Sequence, residues 1–326
     1  MRIRRWVSAA LLTAVTVATL ACASASVTVA EPSPVGTSQR PVFRDGQVQR
    51  IAVMSAVPAE LERLLEAAQI ESTVTVVGRE HHVGRLEGHP VVLMLVGVSM
   101  VNAAMATQAL VDHFDIGAIV FSGIAGGVNP DLAVGDVTVP ERWGQFHEMV
   151  YARETPDGWD RGGRAGQFDN FGMMFPRGQL LDGGGPGAQP EARRFWFPAD
   201  EGMLQVARRI ADDVALARCT EDGRCLEHLP EIVVGGNGVS GAVFVDNAAF
   251  RRYLFDAFEA HAVDMETAAV AHVALANGVP FLGFRSLSDL AGGGPGANEI
   301  ETFGFLAADN SAAVLRRFLR EWRGPR

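Results

Sequence analysis

The chain has 326 residues, 48% of them hydrophobic, and a formal charge of −10. That is enough apolar material for one full core, as a single domain or a large domain with an insertion. All 28 basic residues are arginine; without lysine, Schiff-base chemistry and a Walker-type phosphate lysine are excluded, and without a positive block nucleic-acid binding is not expected.

Residues 1–25 read as a signal peptide. Arg2, Arg4 and Arg5 precede the apolar run Trp6–Ala21, and Ala21-Cys22-Ala23 and Ala23-Ser24-Ala25 offer small-residue cleavage sites. The run is too short for a stable span, so export to the periplasm or the medium is expected, with no membrane span after cleavage. A lipoprotein at Cys22 is the lesser alternative, because Thr19 and Leu20 fit a lipobox poorly. Residues 26–49, rich in Pro, Ser and Val, read as a linker. Export leaves Cys219 and Cys225, five residues apart across Thr220–Arg224. An oxidising compartment favours their pairing; a metal site would need further ligands, and only His228 is near.

The folded part begins with a strand over Arg50–Ala56, followed by a helix opening at Pro58-Ala59-Glu60-Leu61, with proline near its first turn. Glu60 suits a helix start on electrostatic grounds alone. Val74–Leu86 and Pro90–Val96 read as strands. Gly97-Val98-Ser99 is a turn before a helix from Met100, of a kind that can aim N–H groups at an anion or a ribose. Ala118–Phe121 is a strand running into a glycine-rich turn, Ser122–Gly127. This is not GxGxxG, and no helical period follows, which disfavours a dinucleotide site.

Residues 153–198 are Gly-rich and read as an insertion, anchored by Phe195-Trp196-Phe197-Pro198. A helix over Glu201–Ala217 and a strand over Glu231–Val234 lead to Gly235–Asn247, which carries Phe244 and Val245. A helix follows over Asn247–Ala260. Next come a helix over Glu266–Asn277, stopped by Gly278, and a strand over Pro280–Leu287. Asp264 and Glu266 stand where a strand gives way to a helix, and Asp289 just past the next strand. Ligands of open α/β sheets bind at the carboxyl ends of strands, so these acids would face one pocket; each would equally serve as a helix or turn cap. Leu290–Ala297 is a flexible turn, and Glu301–Trp322 a closing helix. Strands alternating with helices predict an α/β three-layer sandwich with a mixed, partly barrel-like central sheet.

Three runs carry a resemblance: Asp264-Met265-Glu266-Thr267, Ser286-Leu287-Ser288-Asp289, and Ser240-Gly241-Ala242-Val243-Phe244. They resemble the nucleoside phosphorylase and nucleosidase superfamily, in particular the branch of methylthioadenosine/S-adenosylhomocysteine nucleosidases and plant bark storage proteins. The likeness covers about residues 50–322 outside the insertion. It implies a purine nucleoside substrate, hydrolysis of its N-glycosidic bond without cofactor or metal, and a homodimer or larger assembly. Asp289 would then donate a proton to purine N7, with Ser288 bonded to it or to the base, and burial would have to raise its pKa. Glu266 would accept the ribose hydroxyls, with Met265 against the sugar. Glu60, helped by Arg285, would activate water. Phe244 would stack on the base beside Val245, and Gly97 would form part of the ribose edge. His147-Glu148 stands where relatives carry a His–acid pair near the ribose, and is as well read as a surface loop.

The plant-type members carry a similar cysteine pair. Departures are Val96 in place of a serine and Ala242 in place of an aspartate. The arginines of the phosphorylase branches are also absent, at Phe121 and in Ala56–Glu60, which favours water over phosphate. A phosphate-dependent phosphorylase and a non-catalytic nucleoside-binding or storage protein remain the alternatives.

Overall fold

The computed structural model describes residues 48–164, 166–181 and 193–324. The expected signal peptide and all but the end of the expected linker lie outside the described residues. The chain folds first as β1 (Arg50–Ser55), α1 (Pro58–Ala67), β2 (Gln69–Val76), β3 (Arg79–Leu86), β4 (His89–Leu95), α2 (Met100–His113), β5 (Ile116–Gly127), β6 (Val137–Val139) and β7 (Arg142–Gln145). Then come β8 (Trp196–Pro198), α3 (Glu201–Ile210), β9 (Ile232–Val234), β10 (Asn237–Ser240), α4 (Ala248–Phe258), β11 (Ala260–Asp264), α5 (Thr267–Asn277), β12 (Phe281–Asp289) and α6 (Ile300–Glu321).

These strands form one mixed twelve-stranded sheet in the order β8-β7-β10-β11-β5-β1-β4-β3-β2, with β12 along β5, β6 against β12, and β9 on β6. Side chains alternate across β1. Ala52 and Met54 pack with α2 and α5, whereas Ile51 and Val53 pack with α1, α3 and α6. Two helical layers therefore cover a sheet whose central strands are buried on both faces. This explains why β1 and β12 read as continuous rather than alternating apolar runs.

β5 organises the sheet. It runs parallel to β1 and β12, and its last residues turn aside to pair antiparallel with β11 through Val263↔Gly126 and Ala262↔Gly127. A strand with a third neighbour at its end curls the sheet on itself, which is its barrel-like part. The expected glycine-rich turn over Ser122–Gly127 is thus extended strand. The glycines serve close approach rather than turning: a Cβ on Gly123 would collide with Arg285 Nη1 and come within 2.7 Å of Glu60 Oε1.

Two further boundaries differ from the sequence reading. The run Val74–Leu86 is a hairpin, turning at Val77-Gly78, both at positive φ. β12 continues through Asp289 because its register shifts after Leu287, leaving Ser288 as an extra residue. Such a bulge re-aims side chains at a strand end, and here it turns both Ser288 and Asp289 toward one cavity. In the expected insertion, Arg153–Thr155 pairs with Gly158–Asp160, Met174–Pro176 with Met149–Tyr151, and Gln179–Leu180 with Arg193–Arg194. Phe195 and Phe197 are buried, and β8 joins the main sheet beside β7.

Candidate active site

A cavity of about 180 Å³ opens at the carboxyl edge of the sheet. Four acids line it: Glu60 from α1, Asp264 ending β11, Glu266 opening α5, and Asp289 ending β12. Its other walls are mainly apolar, including Val98, Val243, Met265 and Ile300. No cationic side chain lines it among the described residues.

Glu60 is the third residue of α1, where a carboxylate meets unpaired helix N–H groups. Its Oε2 accepts Ala56 N at 2.7 Å and Val57 N at 3.1 Å, and its Oε1 accepts Ile124 N at 2.9 Å from β5. The capping role proposed from sequence is therefore real, and it also immobilises the carboxylate at the cavity wall.

The two acids of the β11–α5 junction divide their tasks. Asp264 is consumed by the protein. It accepts Thr267 N at 3.2 Å, as a helix cap does, together with the hydroxyls of Ser240 and Thr267. It also pairs with Arg285 Nε at 2.7 Å. Glu266 is different: its Oε1 accepts a single backbone N–H, from Ser99, at 2.6 Å. Ser99 reaches it through a backbone at φ +83°, a strained conformation for a residue with a Cβ. Burial, reinforced by the neighbouring Asp264 carboxylate, pushes Glu266 up to about 7, against the opposing pull of Arg285 and the Ser99 N–H.

Asp289 is buried at 2% exposure. Its Oδ2 accepts Ser288 Oγ at 2.8 Å, and its Oδ1 accepts Ala291 N at 2.8 Å and Asn298 Nδ2 at 3.3 Å. Burial raises its pKa, and the donors around it restrain that rise. Two buried acids with elevated pKa values thus stand in one cavity, a pattern that marks functional sites.

A family model described as the phosphorylase superfamily matches residues 50–320. The chain belongs to the phosphorylase superfamily. It is 31% identical over 245 residues to a 5′-methylthioadenosine/S-adenosylhomocysteine nucleosidase of Bacillus thuringiensis, covering 74% of this chain and 87% of that one. It is 26% identical over 270 residues to bark storage protein B of Populus deltoides, covering 78% and 82%. Among solved structures, the Neisseria meningitidis 5′-methylthioadenosine/S-adenosylhomocysteine nucleosidase in complex with methylthio-immucillin-A superposes with a TM-score of 0.64. It is 25% identical, with 84% of this chain and all of that chain covered.

Within this superfamily fold, Phe244, Val245, Met265 and Ser288 line the same cavity as Glu60, Glu266 and Asp289. Phe244 stands at the rim, 54% exposed. Gly97 and Arg285, also expected at the substrate, are not in the wall. Gly97 faces Arg79 and Asn102, and its neighbour Val98 lines the cavity instead.

Arg285 lies beneath Gly123, fully buried, with its guanidinium 4.1 Å over the Phe121 ring. Its Nη1 and Nη2 have no hydrogen-bond partner among the described residues. The physical reason for its place is charge: a buried guanidinium needs an anion, and Asp264, itself part of the cavity lining, supplies it. Val96 is buried rather than lining. Glu148 is paired with Arg177 at 3.0 Å, so its carboxylate is bound to the insertion.

Sequence reasoning gave no role to Ser240 or Asn298, nor to the Ile124 and Ser99 N–H groups. Backbone donors leave no trace in side-chain identity, and Asn298 fell between the expected turn and the closing helix with nothing to mark it. Among the described residues no three His, Cys, Asp or Glu side chains converge as a metal site requires. Cys219 and Cys225 are joined in a disulfide.

Proposed function

We propose that the protein is an exported purine nucleosidase that hydrolyses the N-glycosidic bond of 5′-methylthioadenosine- or S-adenosylhomocysteine-like nucleosides. The observation that carries this reading is the cavity's lining: four acids and no cationic side chain among its described residues. Such a wall offers a phosphate co-substrate no charge-assisted contact and suits water attacking a sugar that is gaining positive charge. The nucleosidase relatives support the same class.

In this mechanism the base stacks on Phe244 beside Val245, and the sugar packs against Met265. Glu266, once ionised, accepts the ribose hydroxyls. Asp289 gives its proton to the base as the N-glycosidic bond breaks, and the base leaves neutral. Water bonds to the anomeric carbon and passes a proton to Glu60. Arg285, with Nη1 against Gly123 opposite Glu60, supplies positive charge behind that water.

Export is supported by the basic and apolar residues at 1–25 and by the disulfide, which suits an oxidising compartment. A homo-oligomer is supported by Val98, Val101 and Met105, at 44%, 79% and 46% exposure, which form an apolar strip from the cavity rim along α2.

The test is release of free adenine from methylthioadenosine in phosphate-free buffer. Turnover is expected, with Asp289→Asn lowering kcat by about 10²–10⁴-fold. Strict dependence on phosphate would move the reading to a phosphorylase. A second reading, a nucleoside-binding or storage protein, is favoured by the similarity to bark storage protein B. It requires nucleoside binding with no release of base.

A further inference from the structure

The segment between β12 and α6 folds back on both the acid and the rim of the cavity. Asn247 N donates to Ala291 O at 3.0 Å, and a Cβ on Gly292 would collide with the Asp246–Asn247 backbone. Asn298 closes this corner. Its Nδ2 lies 3.0 Å from Asp246 Oδ1 and 3.3 Å from Asp289 Oδ1, while its Oδ1 accepts Ile300 N at 3.0 Å. Asp246 directly follows Phe244 and Val245. One amide nitrogen therefore joins the buried acid to the segment that forms the rim.

We propose that Asn298 is a positioning residue for the proton donor Asp289 and couples filling of the Phe244–Val245 rim to delivery of that proton. The inference rests on the nucleosidase reading above. Two N–H donors, from Ala291 and Asn298, occupy Oδ1. An N–H cannot accept, so the acid form carries its hydrogen on Oδ2. There the Ser288 hydroxyl, 2.8 Å away, accepts it while donating to Ala125 O at 3.3 Å. Asn298 thus reinforces the choice of acid oxygen that the Ala291 N–H makes, and is the part of that choice tied to the rim. A shift of the rim over a bound base is transmitted through Asp246 to that choice.

Other charged groups near Asp289 are untouched by substitution of Asn298: Glu299 stands on its own side of the cavity, and Glu60, Asp264 and Glu266 line the rest. Asp246 is different, because it loses its donor when Asn298 is replaced. Arg251 of α4 is held by Gly127 O and Asn129 O. Asn298 donates to the carboxylate, so its loss leaves the protonated form favoured to higher pH.

The experiment is a pH profile of adenine release by Asn298→Ala, Asp246→Ala and the double variant. For Asn298→Ala we expect kcat at neutral pH to fall about tenfold with KM changed less than about threefold, because the loss falls on the transition state. The alkaline limb should move to higher pH. The double variant should lose less than the product of the single losses, since both break one bridge. An unmoved limb, or strictly multiplicative losses, overturns the inference.

If Asn298→Ala does not fold, Asn298→Leu keeps the approximate shape, removes the donor without adding a charge beside Asp246 and Asp289, and carries the same test. Wild-type protein that releases no base would remove the nucleosidase reading instead. The pH dependence of adenine binding by calorimetry then still reads Asn298, and an identical dependence in wild type and variant overturns the coupling.

Discussion

Glu266 sets a pH dependence that can be read without any substrate. Its folded-state pKa of about 7 lies above the ordinary carboxylate value of 4.5, because burial and Asp264 disfavour its charge. The folded state therefore binds the proton more tightly than the unfolded state. That contribution to stability is full below about pH 4.5 and is lost as pH rises through about 7. Between these limits the protein should lose on the order of 3 kcal/mol from this group. Thermal melts across that window should show the fall, and Glu266→Gln should flatten it. Gly123 makes the second residue-scale prediction. Its missing Cβ is what lets Arg285 and Glu60 approach each other. Gly123→Ala should destabilise by about 1–3 kcal/mol through overpacking. It should also lower kcat far more than nucleoside affinity, which paired melts and steady-state kinetics would reveal.

At the scale of elements, the disulfide segment is fastened twice. Arg63 of α1 donates to Glu221 at 2.9 Å and to Asp309 of α6 at 2.9 Å. Asn310 of α6 holds Ala217 through both its backbone groups, at 2.7 and 3.0 Å. The covalent link closes a loop over a sequence separation of 6 residues. Replacing both Cys219 and Cys225 by serine should therefore cost about 2 kcal/mol, mostly through the unfolded chain. Turnover should persist, because Glu60 is held by the N–H groups of Ala56, Val57 and Ile124 rather than by the disulfide segment. Denaturant melts with and without reductant would separate the two effects. The junctions carrying the acids were largely legible at this scale. The strand–helix boundary at Asp264–Glu266 was marked by the change from strand-like to helical patterning. The boundary at Asp289 was misjudged by two residues, because a bulge has no residue signature of its own. The run Ser122–Gly127 was taken for a turn, because glycine permits both turning and close approach, and only the neighbours decide which.

Across the whole molecule, the apolar strip of Val98, Val101 and Met105 begins at the cavity rim and continues along α2. A second copy covering it would also close the cavity beside Val98. Val101→Arg should shift the protein toward monomer in sedimentation velocity and lower nucleoside affinity in the same preparation. Unchanged mass with full activity would assign the strip no such role.

The places of Glu60 and Phe244 came with the family resemblance. The sequence by itself determined the general alternation of strands and helices and the acids at the ends of β11 and β12, which follow from local rules: apolar periodicity and the tendency of α/β sheets to bind ligands at strand ends. Only the tertiary structure decided the division of labour. Asp264 and Glu266, two residues apart, are equivalent on paper and both line the cavity, yet one neutralises Arg285 and the other meets a single backbone N–H. Arg285 was expected at the substrate and sits behind the wall, and Asn298, which had no role on the sequence, bridges two carboxylates. Each outcome depends on long-range partners, 21 residues away for Asp264 and Arg285 and 52 for Asn298 and Asp246. A buried charge goes where its counter-charge can reach it, and that is a property of the packed molecule rather than of any window of sequence.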